Sequence, residues 1–261
     1  MLTAPCYVMS DAHLGFAEGD VERAVVSFLR HAAKHAGSVV VNGDLFEFWF
    51  EWRTVIPRRG FRTVAALADL VDAGIPVVMI AGNHDCWGGD VLRQDVGVDY
   101  QFGPIVTDIA GWRAHIEHGD GLRPREDKRY RMLRSVLRNT LAIRTFRWIH
   151  PDLATPIATS SSHASRTYVA RDAGRGLRAA AERISEADPS LDLVVLGHSH
   201  VHTLERLPQG AIYGNPGSWL DAPTFLRITN EQVSLRQWDG SAESADLHTF
   251  HRSAKKTLAQ L

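Results

Sequence analysis

The sequence predicts a layered α/β fold in which helices flank a mixed, largely buried β-sheet. Short apolar runs alternate with longer amphipathic segments over the first 80 residues, in the order strand, helix, strand, helix, strand. Later apolar runs follow one another at the short spacing typical of hairpins, so some strands must be antiparallel. The chain has 261 residues, 44% of them apolar, which is enough to form a sizeable core.

The spacing of apolar residues places each element. Continuous apolar runs predict buried strands, and a 3.6-residue repeat predicts helices, the second of which ends beside Gly74. The first predicted elements are strands at 5–10, 38–41 and 75–80 and helices at 21–35 and 62–73. Further strands are predicted near 104–109, 112–117, 191–196, 203–207, 211–214, 224–228 and 232–238.

One stretch, between His118 and about Pro189, contains no strand pattern. Residues 123–149 carry nine lysines and arginines but only two acidic residues, with apolar side chains between them. This pattern predicts a helical insertion with one basic and one apolar face, at about 121–189 of a single domain spanning 1–261. Phe146, Trp148 and Ile149 need burial, which a cap over a functional site would provide. A solvated basic surface is the alternative.

Composition excludes several classes of protein. A net charge of −1 gives no indication of nucleic-acid binding. The two cysteines, Cys6 and Cys86, form no disulfide framework and fit a reducing compartment. The first residues lack the pattern of a signal peptide, and no apolar run approaches the roughly 20 residues that span a bilayer. We therefore expect a cytoplasmic protein, with peripheral contact to the inner membrane as a further possibility.

Polar side chains of the kinds that commonly bind metals follow five predicted strands. Because ligands gather at the carboxyl ends of strands in α/β sheets, we expect these side chains to converge. Carboxylates, imidazoles and one amide without a thiolate suit manganese, iron or zinc better than calcium. Their number fits two metals that share a carboxylate, an arrangement used on phosphoryl groups. The residues are Asp11, His13, Asp44, Asn83, His84, Asp85, His118, His198 and His200.

The ordered motifs DAHLG, GDLFE, GNHD, HGD and GHSH resemble those of the calcineurin-like metallophosphoesterase superfamily. The resemblance implies a two-layered β-sandwich flanked by helices and a dinuclear site whose bridging hydroxide attacks phosphorus in line. It also implies that His84 acts as an acid or electrostatic group oriented by Asp85. The implied ligands are Asp11, His13 and His200 for the first metal, Asn83, His118 and His198 for the second, and Asp44 between them.

Within the superfamily, the order of elements resembles the UDP-2,3-diacylglucosamine hydrolases, which cleave a pyrophosphate to give lipid X and UMP. The resemblance rests on GDLFEFW, on the helical insertion after HGD and on the serine-rich segment that follows. It implies two divalent ions, with Mn²⁺ preferred over Fe or Zn, and a cap that holds acyl chains. Cations at the rim of the cap would attract an anionic, membrane-bound substrate. The implied substrate contacts are Arg123, Arg129, Tyr130, Ser162 and Arg166.

Two departures keep alternatives open. His84 stands where the strict members of that family carry arginine, and His202 replaces the proline of their closing motif. A divergent phosphoesterase acting on a soluble nucleotide or another phosphoester is the first alternative, and a non-catalytic scaffold is the second. Glu47 either supports a ligand or begins a helix, and Asp120 either orients an imidazole or caps a turn.

Overall fold

Two β-sheets pack face to face in the computed structural model, which describes residues 1–16, 19–124, 127–156, 158 and 172–252. In spatial order, the first sheet contains β12 (His248–His251), β11 (Gln232–Gln237), β10 (Thr224–Ile228), β1 (Cys6–Met9), β2 (Ser38–Asn42), β3 (Val77–Ile80) and β4 (Asp99–Gln101). The second contains β5 (Ile105–Ile109), β6 (Trp112–Ile116), β7 (Leu193–Val195), β9 (Ile212–Asn215) and β8 (Thr203–Arg206). The predicted two-layered mixed sandwich is confirmed.

The parallel strands bring the predicted functional residues to one edge. β1, β2, β3 and β4 are parallel, with Val8 opposite Val40 and Val40 opposite Val78. In the second sheet β6, β7 and β9 are parallel, while β5 and β8 pair antiparallel with their neighbours. In the first sheet β10, β11 and β12 form the antiparallel side. The carboxyl ends of β1, β2 and β3 therefore lie side by side, as the sequence predicts.

The central strands of the first sheet are apolar on both faces, because one face packs against the second sheet and the other against helices. Val8, Val40 and Ile116 belong to the core between the two sheets. Tyr7 and Val41 point the other way, into a core shared with α1 (Gly19–His35) and α2 (Phe61–Asp72). Side chains alternate across a strand, so a strand buried on both faces reads as a continuous apolar run.

The predicted insertion differs from the structure in its bounds and in its helices. Its described residues contain α3 (Lys128–Leu137), α4 (Thr140–Phe146) and further helical residues at 151–156, where the sequence predicts one helical insertion. Asn139 separates α3 from α4, since its side chain accepts the backbone N–H groups of Leu141 and Ala142 at 2.9 and 3.1 Å. We call residues 121–172 the cap.

The C-terminal part of the predicted insertion belongs to the sandwich. Helix α5 (Arg175–Ala187) packs Leu177 and Ala181 against Val194 and Tyr213 of the second sheet. Its apolar face therefore covers the sheet instead of the functional site. The expectation that the cap extends to about residue 189 is wrong for this segment.

The cap rests on aromatic side chains of the segment that follows β2. Phe146 and Ile149 pack against a buried cluster that includes Phe48, Phe50 and Trp52. Trp148, by contrast, is 89% exposed, so the expectation that it is buried is wrong.

Two indole groups join the sandwich to the main chain of the cap. Trp52 Nε1 donates a hydrogen bond to the carbonyl oxygen of Ile149 at 3.1 Å. Trp87 Nε1 donates to the carbonyl oxygen of Leu137 at 2.6 Å. The cap is therefore fixed by directed hydrogen bonds as well as by apolar packing.

Predicted strand bounds agree with the structure to within about two residues. β4 and β12, which are short edge strands, and a π-helical turn at Val91–Asp95 were not predicted from the sequence. Three- or four-residue edge strands carry too few apolar residues to give a period. Over the described residues, no helix is both long and apolar enough to cross a bilayer.

Candidate metal centre

Five of the predicted metal ligands adopt the left-handed backbone conformation. Their φ angles lie between 45 and 62°, and among the described non-glycine residues only Ala110 and Ala173 share this region. Left-handed backbone costs an L-residue about 1–2 kcal/mol and concentrates at functional sites. The turns after three strands are therefore shaped around these side chains. The five residues are Asp11, His13, Asp44, His198 and His200.

The first group of candidate ligands is Asp11, His13 and His200. Nε2 of His200 lies 3.1 Å from Nε2 of His13 and 3.5 Å from Oδ1 of Asp11. Glu47 Oε2 lies 3.1 Å from Nδ1 of His13, which leaves Nε2 facing the group. Of the two roles open to Glu47, the structure supports the one next to a ligand.

The second group is Asp44, His118 and His198. His118 Nε2 lies 3.1 Å from Oδ2 of Asp44, and its Nδ1 contacts the carbonyl oxygen of Asn42 at 2.9 Å. Asp44 also lies within reach of His13 and His84 in a third cluster. Asp44 therefore belongs to two of the three clusters, and the cluster that it forms with His13 and His84 connects the second group to the first.

The donor atoms of this centre fit divalent cations. Asp11 Oδ1 and Asn83 Oδ1 are buried and have no hydrogen-bond partner among the described residues. Leaving a buried polar atom unsatisfied is costly, and a cation would satisfy both oxygens. The sequence motifs bring oxygen and imidazole donors, which suit first-row divalent metals.

The electrostatics show how strongly these groups interact. Burial opposes ionisation of Asp44, yet the charges of His118 and His84 hold its pKa well below the ordinary value. Burial opposes protonation of His118, but Asp44 and Asp11 raise its pKa well above the ordinary value. Burial raises the pKa of Asp11, and burial together with the His118 charge lowers that of His198. These shifts show that carboxylates and imidazoles are buried next to one another and change each other's ionisation.

Asp85 plays a different part from the one the sequence analysis gives it. Its carboxylate accepts the backbone N–H groups of Gly82 and Leu45, both at 2.8 Å. Burial, with the Asp44 charge next, raises its pKa to about 7. His84 Nδ1 instead contacts the carbonyl oxygen of Glu47 at 3.1 Å. The expectation that Asp85 orients His84 is wrong: Asp85 joins the turns after β2 and β3.

The close approach of these turns requires glycine at two positions. A Cβ on Gly82 would lie 2.2 Å from Oδ1 of Asp44, and a Cβ on Gly43 would lie 2.3 Å from Nδ1 of His118. Both distances are far inside van der Waals contact, so neither position accommodates another residue without movement of a candidate ligand.

The predicted substrate contacts are only partly described. Arg123 is buried and its guanidinium contacts Asp127 at 2.7 Å. The Tyr130 hydroxyl donates to Asp120 Oδ2 at 2.5 Å, so Asp120 contacts a phenol where an imidazole was one expectation. The side chain of Arg129 and the whole of Ser162 and Arg166 lie outside the described residues. Substrate contact by these five residues stays a prediction.

Residues outside the motifs complete the centre. The carbonyl oxygen of Asn42 fixes His118, a main-chain contact that no side-chain pattern could reveal.

His202 is exposed, which favours a solvent-facing position for it. Cys86 is buried, as expected of a small apolar residue.

Comparisons with known proteins agree with this geometry. A family model described as Calcineurin-like phosphoesterase matches residues 4–202. The UDP-2,3-diacylglucosamine hydrolase of Porphyromonas gingivalis is 29% identical over 217 residues, which are 75% of this chain and 82% of that protein. The protein of the same name from Xanthomonas oryzae pv. oryzae is 28% identical over 249 residues, 88% of this chain and 97% of that one.

A solved structure shares the fold. Vacuolar Protein Sorting 29 from Cryptosporidium parvum superposes with a TM-score of 0.52 at 13% sequence identity. The match covers 95% of this chain and 97% of that one. At this identity the likeness concerns the architecture alone.

Proposed function

The chain belongs to the calcineurin-like phosphoesterase family and is a metal-dependent hydrolase, and on that premise we propose that it hydrolyses UDP-2,3-diacylglucosamine to lipid X and UMP. The observation that carries the proposal is the position of the cap. A cluster of aromatic side chains, called the aromatic wall below, connects the GDLFE motif, which supplies Asp44, to the cap helices. It includes Phe48, Phe50, Trp87 and Phe146. A substrate with a phosphorylated head and acyl chains matches that juxtaposition of metal ligands and apolar surface.

The proposed centre holds two divalent cations, with Mn²⁺ preferred over Fe or Zn. Bound cations would neutralise phosphate charge and activate water. Unsatisfied Asp11 Oδ1 and Asn83 Oδ1 support this use of the site. The proposed ligands are Asp11, His13 and His200 in one group and Asn83, His118 and His198 in the other, with Asp44 common to both.

His84 is the proposed proton donor to the departing phosphate oxygen. Its Nδ1 is held by the carbonyl oxygen of Glu47, and its Nε2 lies 4.0 Å from Oδ2 of Asp44. The imidazole therefore directs Nε2 toward the proposed centre. An imidazolium there can donate a proton near neutral pH and stabilise negative charge on the phosphate.

The aromatic wall supports a lipid substrate. Phe48, Phe50 and Trp87 face Phe146 with ring centroids 4.9–6.3 Å apart. These rings cover one another, so they seat the cap beside the metal centre, where its apolar side chains would bind acyl chains at about 25 cal/mol per Å² of buried surface.

The outer surface of the cap supports peripheral contact with an anionic membrane on the cytoplasmic side. Met132, Leu141 and Trp148 are 72, 68 and 89% exposed. Arg131 and Arg147 lie among them and are exposed as well. Interleaved cations and large apolar side chains are typical of surfaces that enter the headgroup region of a bilayer.

His84 favours a second candidate, a soluble nucleotide or other phosphoester, because the strict lipid enzymes carry arginine there. One experiment separates the two. Purified protein loaded with Mn²⁺ is incubated with UDP-2,3-diacylglucosamine and with a soluble phosphodiester, and UMP release is measured. We expect release of UMP that Asp44→Ala abolishes. An intact lipid substrate beside a hydrolysed soluble diester would select the second candidate.

A further inference from the structure

A buried arginine lies between a candidate metal ligand and both ends of the cap. Arg123 is 2% exposed, and its Nε and Nη2 contact Oδ1 of Asp127 at 3.1 and 2.7 Å. Its Nη2 also lies 3.3 Å from Nε2 of His198. Its Nη1 lies 3.8 Å from Oδ2 of Asp172, at the far end of the cap. One guanidinium therefore contacts the start of the cap, its end and the metal centre.

The surroundings leave Arg123 and Asp127 little freedom. Asp127 is 3% exposed and also accepts the backbone N–H groups of Gly121 and Arg123, at 3.1 and 3.0 Å. A Cβ on Gly176 would lie 2.9 Å from Cγ of Arg123, so the backbone of α5 presses on the arginine stem. Removing one member of such a buried pair leaves an uncompensated charge, which makes its geometry hard to change.

The cap supplies the neighbours of His198 Nε2, where the sandwich supplies those of the other imidazoles. His13 Nδ1 faces Glu47, and His118 Nδ1 faces the carbonyl oxygen of Asn42. Both of these supports come from the sandwich. The support of His198 comes from the cap, since its Nε2 faces Arg123 and lies 4.0 Å from Oδ1 of Asp127.

The contacts at Nε2 decide how His198 can bind a metal. A guanidinium only donates hydrogen bonds, so Nε2 accepts from Arg123 in the metal-free imidazole, whereas a metal bound through Nδ1 would leave the proton on Nε2 and require an acceptor there. An imidazole that binds a metal through one nitrogen is normally oriented by a carboxylate or carbonyl at the other. Asp127 is the carboxylate that the described part of the chain places beside Nε2.

We propose that Asp127 and Arg123 are positioning residues that orient His198 for metal binding, so that the affinity of the Asp44–His118–His198 group for its ion depends on how the cap is seated. This inference rests on the metal centre proposed above. The other group depends on Glu47, which lies outside the cap, so a change at the pair affects one ion and spares the other.

The test is a calorimetric titration of metal-stripped protein with Mn²⁺. We expect the wild type to bind two ions. Asp127→Asn keeps the shape of the side chain and should weaken one binding step by about 10-fold or more while the other step stays within about twofold. Arg123→Lys keeps the charge but removes the planar guanidinium with its several donors, and it should weaken the affinity of the same binding step by a smaller factor. Arg178→Ala, which removes an i,i+4 pair with Glu182 on the surface of α5, should bind as wild type.

A second readout follows the cap directly. Limited proteolysis of the metal-free variants should cleave the cap faster in Asp127→Asn than in wild type or Arg178→Ala, and circular dichroism checks that each variant is folded. If Asp127→Asn does not fold, Arg123→Lys is judged by the same criteria.

Each outcome of the titration has a separate meaning. Wild-type affinity at both steps in Asp127→Asn, or equal weakening of both, would overturn the positioning role and leave the metal centre intact. A wild type that binds no Mn²⁺ would overturn the proposed metal centre, and this inference with it.

Discussion

Oε2 of Glu47 lies 3.1 Å from Nδ1 of His13, and the same oxygen lies 3.7 Å from Nδ1 of His84. One buried carboxylate thus supports a candidate metal ligand and the proposed proton donor together. The two imidazole rings meet edge to face, with centroids 4.8 Å apart. Metal binding and proton transfer are therefore expected to respond to the same residue.

Replacing Glu47 tests that shared support. We expect Glu47→Gln to reduce Mn²⁺ affinity and kcat by about 10- to 100-fold, because the amide holds His13 less firmly than a carboxylate does. Glu51→Gln is the matched control, since Glu51 is also buried but accepts from the Trp49 indole at 3.1 Å and the Val91 N–H at 3.0 Å. Equal metal affinity in the two variants would contradict the prediction.

A methyl group at residue 82 should disrupt the centre without replacing any ligand side chain. Gly82→Ala would place Cβ 2.2 Å from Oδ1 of Asp44, and we expect a loss of about 1–3 kcal/mol in stability together with weaker Mn²⁺ binding. Gly19→Ala is the control, because among the described residues the Cβ there meets the flexible tip of Arg23, at 3.3 Å. Thermal unfolding and Mn²⁺ titration measure both effects. Normal Mn²⁺ affinity in Gly82→Ala would show that the turn adjusts freely.

The two indole groups that hold the cap can be tested one at a time. Trp52→Phe and Trp87→Phe keep an aromatic ring but remove the donor to the Ile149 or Leu137 carbonyl, at a cost of about 1 kcal/mol each. We expect faster amide hydrogen exchange over α3 and α4 in both variants. Trp238→Phe removes an equivalent donor to Ser27 on α1 and should leave exchange in the cap unchanged. Unchanged exchange in all three variants would contradict the assignment.

A polar cluster far from the metal centre should make stability depend on pH. Burial opposes ionisation of Glu243, but hydrogen bonds from Tyr7, His31 and Arg236 hold its pKa below the ordinary 4.5. A carboxylate with a lowered pKa in the folded state stabilises the protein above its unfolded pKa, and this contribution is lost as the pH falls through the folded value.

The Glu243→Gln variant measures this contribution. We expect its Tm to lie below that of the wild type at pH 6–7, and the difference to shrink as the pH falls below about 4.5. A difference that is the same at pH 3 and pH 7 would show that the charge of Glu243 contributes nothing. Glu231→Gln, the same substitution at an exposed position, is the control.

Much of the fold of this protein can be predicted from local sequence patterns. The apolar runs that become β1, β2 and β3 are buried on both faces, so they are readable without knowing their neighbours. The polar residues that end those runs are equally visible, because parallel strands must deliver them to one edge. For that reason the sandwich and the convergence of the candidate ligands could be predicted.

Other features depend on contacts between distant segments. Nothing local to Trp148 distinguishes it from Phe146, yet one is exposed and the other is packed against Phe48 and Phe50. Asp85 directly follows His84 but supports Gly82 and Leu45, because the buried N–H groups of two turns converge on it.

The order of strands and helices, the set of candidate ligands and the family could all be predicted, because each depends on residue types at fixed spacing. The neighbours of each imidazole could not: they are Glu47 for His13, a main-chain carbonyl for His118, and the cap for His198. Hydrogen bonds depend on distance in space, and these partners are separated by tens of residues along the chain.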